Sequence, residues 1–222
     1  MKKVLVVAPH PDDETLGSGG TLLKHKSKGD QIHWLILTKI SVDNGWLNEQ
    51  VEKRQLEIEK VTKAYAFNSV HELNFPTAML DSFPMKELVG NISSVIEKVQ
   101  PNVIYLNHHN DIHTDHQIAF KAVMSSAKNF RHPYIERILM YETLSETEFA
   151  ASLPGHEFQP NVFSDITDYF EEKCKIMQLY KSEMMKPPYP RTLETIEALA
   201  KFRGGRIGCK YVESFILLFE TI

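Results

Sequence analysis

The sequence predicts one α/β domain of Rossmann-like type, with a mostly parallel sheet covered by helices on both faces. The first half alternates short β-rich apolar runs with amphipathic helical patterns, the arrangement that builds parallel sheets. Two polar clusters fall directly after expected strands, where ligands bind in open α/β sheets. The 222 residues, 42% hydrophobic and 24% charged, suit a single core, so residues 1–222 are read as one domain.

Val4–Ala8 reads as a buried strand, and Gly20–Lys28 as a helix with Leu22 and Leu23 inward. Gly29-Asp30 ends that helix before a second strand at Ile32–Leu37. Leu47–Ala66 spaces Val51, Leu56, Ile58, Val61 and Ala64 among charges as a long amphipathic helix does, and Val70–Leu73 follows as a third strand. Met85–Val99 is helical until Pro101 breaks it. Val103–Leu106 is the fourth strand, running into the polar stretch Asn107–His116 and then a helix over Gln117–Ala127. After a fifth strand at Ile138–Met140 the pattern loosens around Pro154-Gly155 and Pro160. A helix is expected over Asp168–Tyr180, with Asp168 and Glu171 at capping-box spacing. Pro187-Pro188-Tyr189-Pro190 is extended or turning, Leu193–Phe202 helical and Glu213–Phe219 a final strand.

The bulk numbers exclude several classes. Lys and Arg total 25 against 29 Asp and Glu, a net charge of −4, and no basic run marks a nucleic-acid partner. Cys174 and Cys209 lie far apart and form neither a disulfide framework nor a thiolate metal site, which fits a reducing, cytoplasmic setting. Val4–Ala8 is too short an apolar run for a signal peptide, and no segment is apolar enough for an integral membrane span. Gly17-x-Gly19-Gly20 follows an acidic string and lacks the GxGxxG spacing of a dinucleotide-binding enzyme. Homo-oligomerisation is compatible with the sequence and is not specified by it.

The chemistry concentrates in His10-Pro11-Asp12-Asp13-Glu14 after strand one and Asp111-Ile112-His113-Thr114-Asp115-His116 after strand four. Alone, the first suits a turn into an acidic helix N-terminus and the second a capped surface turn. Together, at the ends of two strands that a doubly wound order makes neighbours, they supply two imidazoles and a carboxylate. A catalytic zinc site needs three such ligands and an open position for water. The aspartate pair leaves one carboxylate over to take a proton from that water.

Ala8-Pro9-His10-Pro11-Asp12-Asp13-Glu14, with Gly17 and Gly19-Gly20-Thr21, closely resembles the opening signature of the PIG-L/LmbE deacetylase family, and Asp111-x-His113-x-Asp115-His116 resembles its second. The likeness extends to Arg54 and Glu57, Tyr141-Glu142, Asp165-Ile166-Thr167 and Gly208-x-x-Tyr211-x-Glu213-x-Phe215. It implies that His10, Asp13 and His116 bind zinc and that Asp12 is the general base. It further implies that His113 stabilises the oxyanion or protonates the leaving amine, oriented by a hydrogen bond to Asp115, and that Arg54 and Tyr211 contact substrate. Ferrous iron suits the same donor set. The implied reaction removes an N-acetyl group from a small-molecule N-acetylglucosamine-type substrate. A different N-acyl group, or a non-catalytic carbohydrate or nucleotide binder of the same fold, are the alternatives.

Two departures bear on substrate choice. Where many relatives carry Thr-Arg-Gly-Glu after the second strand, this chain has Thr38-Lys39-Ile40-Ser41-Val42-Asp43-Asn44-Gly45, and Gln117 stands where Arg is usual. Substrate identity is therefore expected to rest on the loops Ile40–Trp46 and Phe149–Gln159. His25, His33 and His71 are read as structural, and His108 and His109 as shaping the loop before the second motif.

Overall fold

The computed structural model describes residues 1–222. Seven strands form one sheet: β1 (Lys3–Ala8), β2 (Gln31–Lys39), β3 (Ser69–Pro76), β4 (Val103–Asn107), β5 (Arg137–Tyr141), β6 (Val162–Asp165) and β7 (Val212–Glu220). Their order is β3-β2-β1-β4-β5-β7-β6. The five strands from β3 to β5 run parallel. β7 pairs antiparallel with both of its neighbours, β5 and β6.

The alternation of side chains along β1 divides the core in two. Val4, Val6 and Ala8 face a cluster closed by α1 (Asp13–Ser27), α2 (Asn48–Tyr65), α5 (Phe170–Met177) and α6 (Leu193–Gly204). Leu5 and Val7 face a second cluster closed by α3 (Met85–Val99) and α4 (Thr114–Ser126). Being buried on both faces, β1 reads as an unbroken apolar run. No helix is long and apolar enough to cross a membrane.

Two helices start earlier than their apolar pattern suggests, and both shifts matter for the site. α1 begins at Asp13 rather than Gly20, and α4 at Thr114 rather than Gln117, so each polar motif runs into the first turn of a helix. There the exposed N–H groups and the helix dipole favour Asp13, Glu14 and Asp115. The glycines that hid the start of α1 are present for space. A Cβ on Gly20 would come within 2.7 Å of Ile166, and one on Gly17 would overlap the Tyr141 ring. Glu213 of β7 accepts from the N–H groups of Gly20 (2.8 Å) and Thr21 (2.7 Å), while Lys173 of α5 bonds both Glu213 (2.7 Å) and the Leu16 carbonyl (2.9 Å). This buried ion pair fastens the helix to the antiparallel edge.

The other corrections are local. β6 is a four-residue, half-buried edge strand whose pattern is too short to read. The helix expected over Asp168–Tyr180 divides into a 3-10 turn at Thr167–Tyr169 and the shorter α5. Asp168 and Glu171 form no capping box. Instead Asp165 accepts from the backbone N–H (3.0 Å) and hydroxyl (2.6 Å) of Thr167 and sets the turn.

Gly17→Ala is expected to destabilise the fold by about 1–3 kcal/mol through overpacking against Tyr141. Gly90→Ala in α3, where a Cβ meets nothing within 4 Å, should stabilise it by about 0.5–1 kcal/mol through helix propensity. Urea unfolding of the two variants beside the parent checks both signs.

Candidate metal centre and active site

β1 and β4 are adjacent and parallel, but the chain leaves β1 toward the α1 face and β4 toward the α4 face. The divergence opens a crevice beyond their carboxyl ends, and both motifs fall into it. His10 and Asp13 arrive from one side, and His113, Asp115 and His116 from the other.

Three donor atoms converge there. Asp13 Oδ2 lies 3.6 Å from His10 Nδ1 and 3.3 Å from His116 Nε2, and those two nitrogens are 3.3 Å apart. Ligands about 2.0–2.1 Å from a tetrahedral zinc stand roughly 3.3 Å from one another, so the triangle has the size such an ion requires. The far side of each ring is held as a ligand histidine's should be. Asp115 Oδ2 accepts from His10 Nε2 at 3.0 Å, and Asp111 Oδ2 accepts from His116 Nδ1 at 2.8 Å. With the proton fixed on the far nitrogen, the near nitrogen presents a lone pair. The donor set therefore fits a divalent metal, and His10, Asp13 and His116 are the residues that would hold it.

The carboxylates behind the rings are themselves anchored. Asp115 also accepts from the backbone N–H groups of Ala78 (2.6 Å) and Leu80 (3.0 Å), and Asp111 from the Thr147 hydroxyl (2.6 Å). The expected bond from the Asp115 carboxylate to His113 is not made, because that carboxylate is committed to His10. Instead the backbone N–H of Asp115 donates to His113 Nδ1 at 3.1 Å. The neutral His113 ring thus carries its proton on Nε2, which bonds no protein group.

Burial lowers His113 to about 4, helped by His10 and His116. Burial opposes charge on Asp13, yet His116 and His10 hold its carboxyl below the ordinary range. His116 is likewise raised by Asp13 and Asp111 against its own burial.

Asp12 is not part of the triangle. Its backbone has φ 128° and ψ −27°, a conformation rare outside glycine. Its N–H donates to Glu14 Oε2 at 3.0 Å, and Glu14 is fixed by the Thr15 hydroxyl (2.5 Å) and the Tyr180 hydroxyl (2.8 Å). Burial raises the Asp12 carboxyl against the pull of Arg191, and pushes Glu14 up to about 8.

His10, Asp12 and His113 line one cleft of about 780 Å³ of atom-free space, partly open to solvent. Arg54 is in its wall, donating to the Pro11 carbonyl (3.0 Å) and bonded to Glu183. Lys39, Ile40 and Trp46 line it as well, so the loop after β2 faces the site as expected. The Phe149–Gln159 loop does not. Its residues border a separate groove beside α6.

Tyr211, expected to contact substrate, packs away from the cleft. Its ring stacks on Phe170 at 3.9 Å, its hydroxyl donates to Glu197 (2.7 Å), and it lies outside the cleft. His25 bonds Asp30 (2.8 Å) and Tyr105 (3.0 Å), and His33 and His71 share the Ser69 hydroxyl. His108 is fully buried with Nδ1 3.6 Å from Asp111.

Sequence reasoning missed Arg191, Glu146 and Glu183. Arg191 donates to Asp12 (2.9 Å), Glu183 (2.6 Å) and Glu146 (3.2 Å), so one guanidinium joins the aspartate to the far wall. Nothing in the local pattern announced it, since Arg191 follows a proline-rich turn and reaches Asp12 across 179 residues. The bond of Asp111 to His116 was within reach, because the two are five residues apart in the second motif.

Fold and site together define an α/β protein with a His-Asp-His cluster that could hold a metal at the switch point of a mostly parallel sheet, flanked by the Asp12 carboxylate and the His113 imidazole. The chain belongs to the PIG-L family, GlcNAc-PI de-N-acetylase, which it matches over residues 5–127. It is similar to the diacetylchitobiose deacetylase of Thermococcus kodakarensis, 26% identical over 220 residues that cover 96% of this chain and 82% of that one. Among solved structures it superimposes on the conserved protein TT1542 of Thermus thermophilus with a TM-score of 0.79 and 24% identity, covering 100% and 97% of the two chains. It also matches the 4-carboxy-2-hydroxymuconate hydratase GalB of Pseudomonas putida with a TM-score of 0.73 and 18% identity, covering 100% and 98%. The structural likenesses establish the fold alone, and a hydratase among them shows that this fold does not dictate the reaction.

Asp111→Asn is expected to weaken metal binding by roughly 10–100-fold, because the carboxylate that fixes the His116 tautomer is lost. Competition with a chelator of known affinity, with parent and variant side by side, measures the change.

Proposed function

We propose that this chain is a metal-dependent hydrolase that removes the N-acetyl group from an N-acetylglucosamine-type substrate. The observation that carries the reading is the donor triangle of His10, Asp13 and His116, with Asp12 and His113 opening on the same cleft. The family and the deacetylase relative support the choice of reaction. A divalent metal at the triangle, zinc or ferrous iron, supplies Lewis acidity and a more acidic water.

The chain's own groups do the rest. Asp12 accepts the proton of the water that attacks the acetamide carbon, and its fixed backbone keeps the carboxylate aimed into the cleft. The tetrahedral intermediate places negative charge on the former carbonyl oxygen. His113, with its proton on Nε2, donates to that oxygen. Collapse expels the amine and leaves acetate, and the amine nitrogen takes up the proton that Asp12 has accepted. Glu14 and Arg191 hold Asp12 from its backbone and its carboxylate respectively.

Purified protein is expected to carry about one zinc or iron per chain and to release amine from N-acetylglucosamine derivatives in a chelator-sensitive manner. Absence of stoichiometric metal after reconstitution would overturn the mechanism. Asp12→Asn should keep its metal while losing about 10²–10⁴-fold in turnover, and His116→Ala should lose the metal. Elemental analysis of both variants separates base from ligand, because metal loss in Asp12→Asn would contradict that division.

A further inference from the structure

We propose that the cleft is built for an uncharged saccharide of at least two rings, with Trp46 as the platform for the ring next to the one that is deacetylated. The proposal rests on the deacetylase reading above and deepens it. Its first support is the position of Trp46. The residue follows the 3-10 turn Val42–Asn44 and Gly45, whose φ of 87° turns the chain back toward the cleft. There the indole lines the space shared with His10, Asp12 and His113 while remaining 39% exposed. Trp34, the other tryptophan, is fully buried in the sheet. An exposed indole at a cleft mouth, beside Ile40 and Val51, offers a flat apolar surface. The C–H face of a pyranose covers such a surface without unpairing any polar group.

The second support is the charge inventory of the cleft. An anionic substituent such as a phosphate or a dicarboxylic acid needs a guanidinium free to meet it with its fork. Neither arginine is free. Arg191 is spent on Asp12, Glu146, Glu183 and the Ser145 hydroxyl. Arg54 is spent on Glu183, Ser182 and the Pro11 carbonyl. Recruiting either for an anion would leave partly buried carboxylates unpaired, which is costly. Lys39, at the exposed end of β2, is the remaining cation. By contrast Glu72, Glu146 and Glu183 line the cleft as acceptors, and sugar hydroxyls are donors. Aromatic face and carboxylate edges together match a neutral sugar.

Because Trp34 is sealed in the core, a ligand-induced change in tryptophan emission reports on Trp46. Metal-loaded protein is mixed with N,N'-diacetylchitobiose, N-acetylglucosamine or N-acetylglucosamine 1-phosphate, and both emission and amine release are followed. The disaccharide is expected to perturb emission saturably and to exceed the monosaccharide in kcat/KM by about tenfold, the worth of burying one ring face. The phosphate is expected to be no better than the monosaccharide. Trp46→Ala should lower the disaccharide-to-monosaccharide ratio about five- to tenfold, and Trp46→Tyr should restore most of it. An unchanged ratio in Trp46→Ala, or preference for the phosphate, overturns the proposal while leaving the deacetylase reading intact. Saturable emission change without amine release from any sugar keeps the subsite and overturns the deacetylase reading. Neither binding nor turnover of the neutral sugars overturns both.

Discussion

The site depends on two buried carboxylates that hold its histidines from behind. Asp111 and Asp115 accept from the far nitrogens of His116 and His10, and so decide which nitrogen of each ring faces Asp13. Without them the three donors would be two imidazoles of undefined tautomer beside an aspartate. The carboxylates are in turn placed by the topology. α4 begins only three residues after Asp111, and its first turn carries both Asp115 and His116 inward while the N–H groups of Ala78 and Leu80 meet Asp115 from the segment after β3. The triangle is thus fixed by β1, β4 and the connection after β3 together, and its geometry is a property of the sheet order.

A second layer binds the remaining groups to parts of the chain remote in sequence. Glu14 joins the Asp12 backbone to Tyr180, Glu57 receives both the N–H and the hydroxyl of Ser182, and Glu183 bonds Arg54 and Arg191. The segment that follows α5 is therefore laced to α2 and to the motif after β1. The Glu183 ion pairs are partly exposed and individually contribute little to stability, whereas Glu14 and Glu57 make their bonds in the interior. As a connected set they define the cleft wall opposite the loop after β2.

Much of this was legible in the sequence where one physical cause dominated. Val4–Ala8 and Val103–Leu106 are buried on both faces, so their apolar runs announced central strands, and the polar residues behind each marked the crevice. Residue type and spacing pointed to two imidazoles and a carboxylate, and the family likeness singled out His10, Asp13 and His116, which the structure brings together. The start of α1 was obscured because Gly17, Gly19 and Gly20 serve contact with Tyr141, Tyr65 and Ile166 rather than helix propensity. Tyr211 was placed among the substrate contacts because an aromatic before a terminal strand looks alike whether it stacks on Phe170, as it does here, or on a sugar. Arg191 and Glu183 were invisible for a different reason. Their meaning lies in partners far along the chain, and no local pattern encodes such partners.

The backbone of Asp12 carries a consequence for anyone wishing to capture this protein with a ligand in place. A φ of 128° is tolerated better by aspartate and asparagine, whose short polar side chains can bond locally, than by other non-glycine residues, where the strain is of order 1–3 kcal/mol. Alanine at this position removes the carboxylate and at the same time encourages the loop to relax, so the pocket it leaves differs in shape from the one that meets substrate. Asparagine removes the basicity while keeping the side-chain outline, the backbone conformation and a partner atom for Arg191. With Asp12 in its proposed role, a trapped complex would therefore be sought with asparagine at residue 12, which removes the base and preserves the mould.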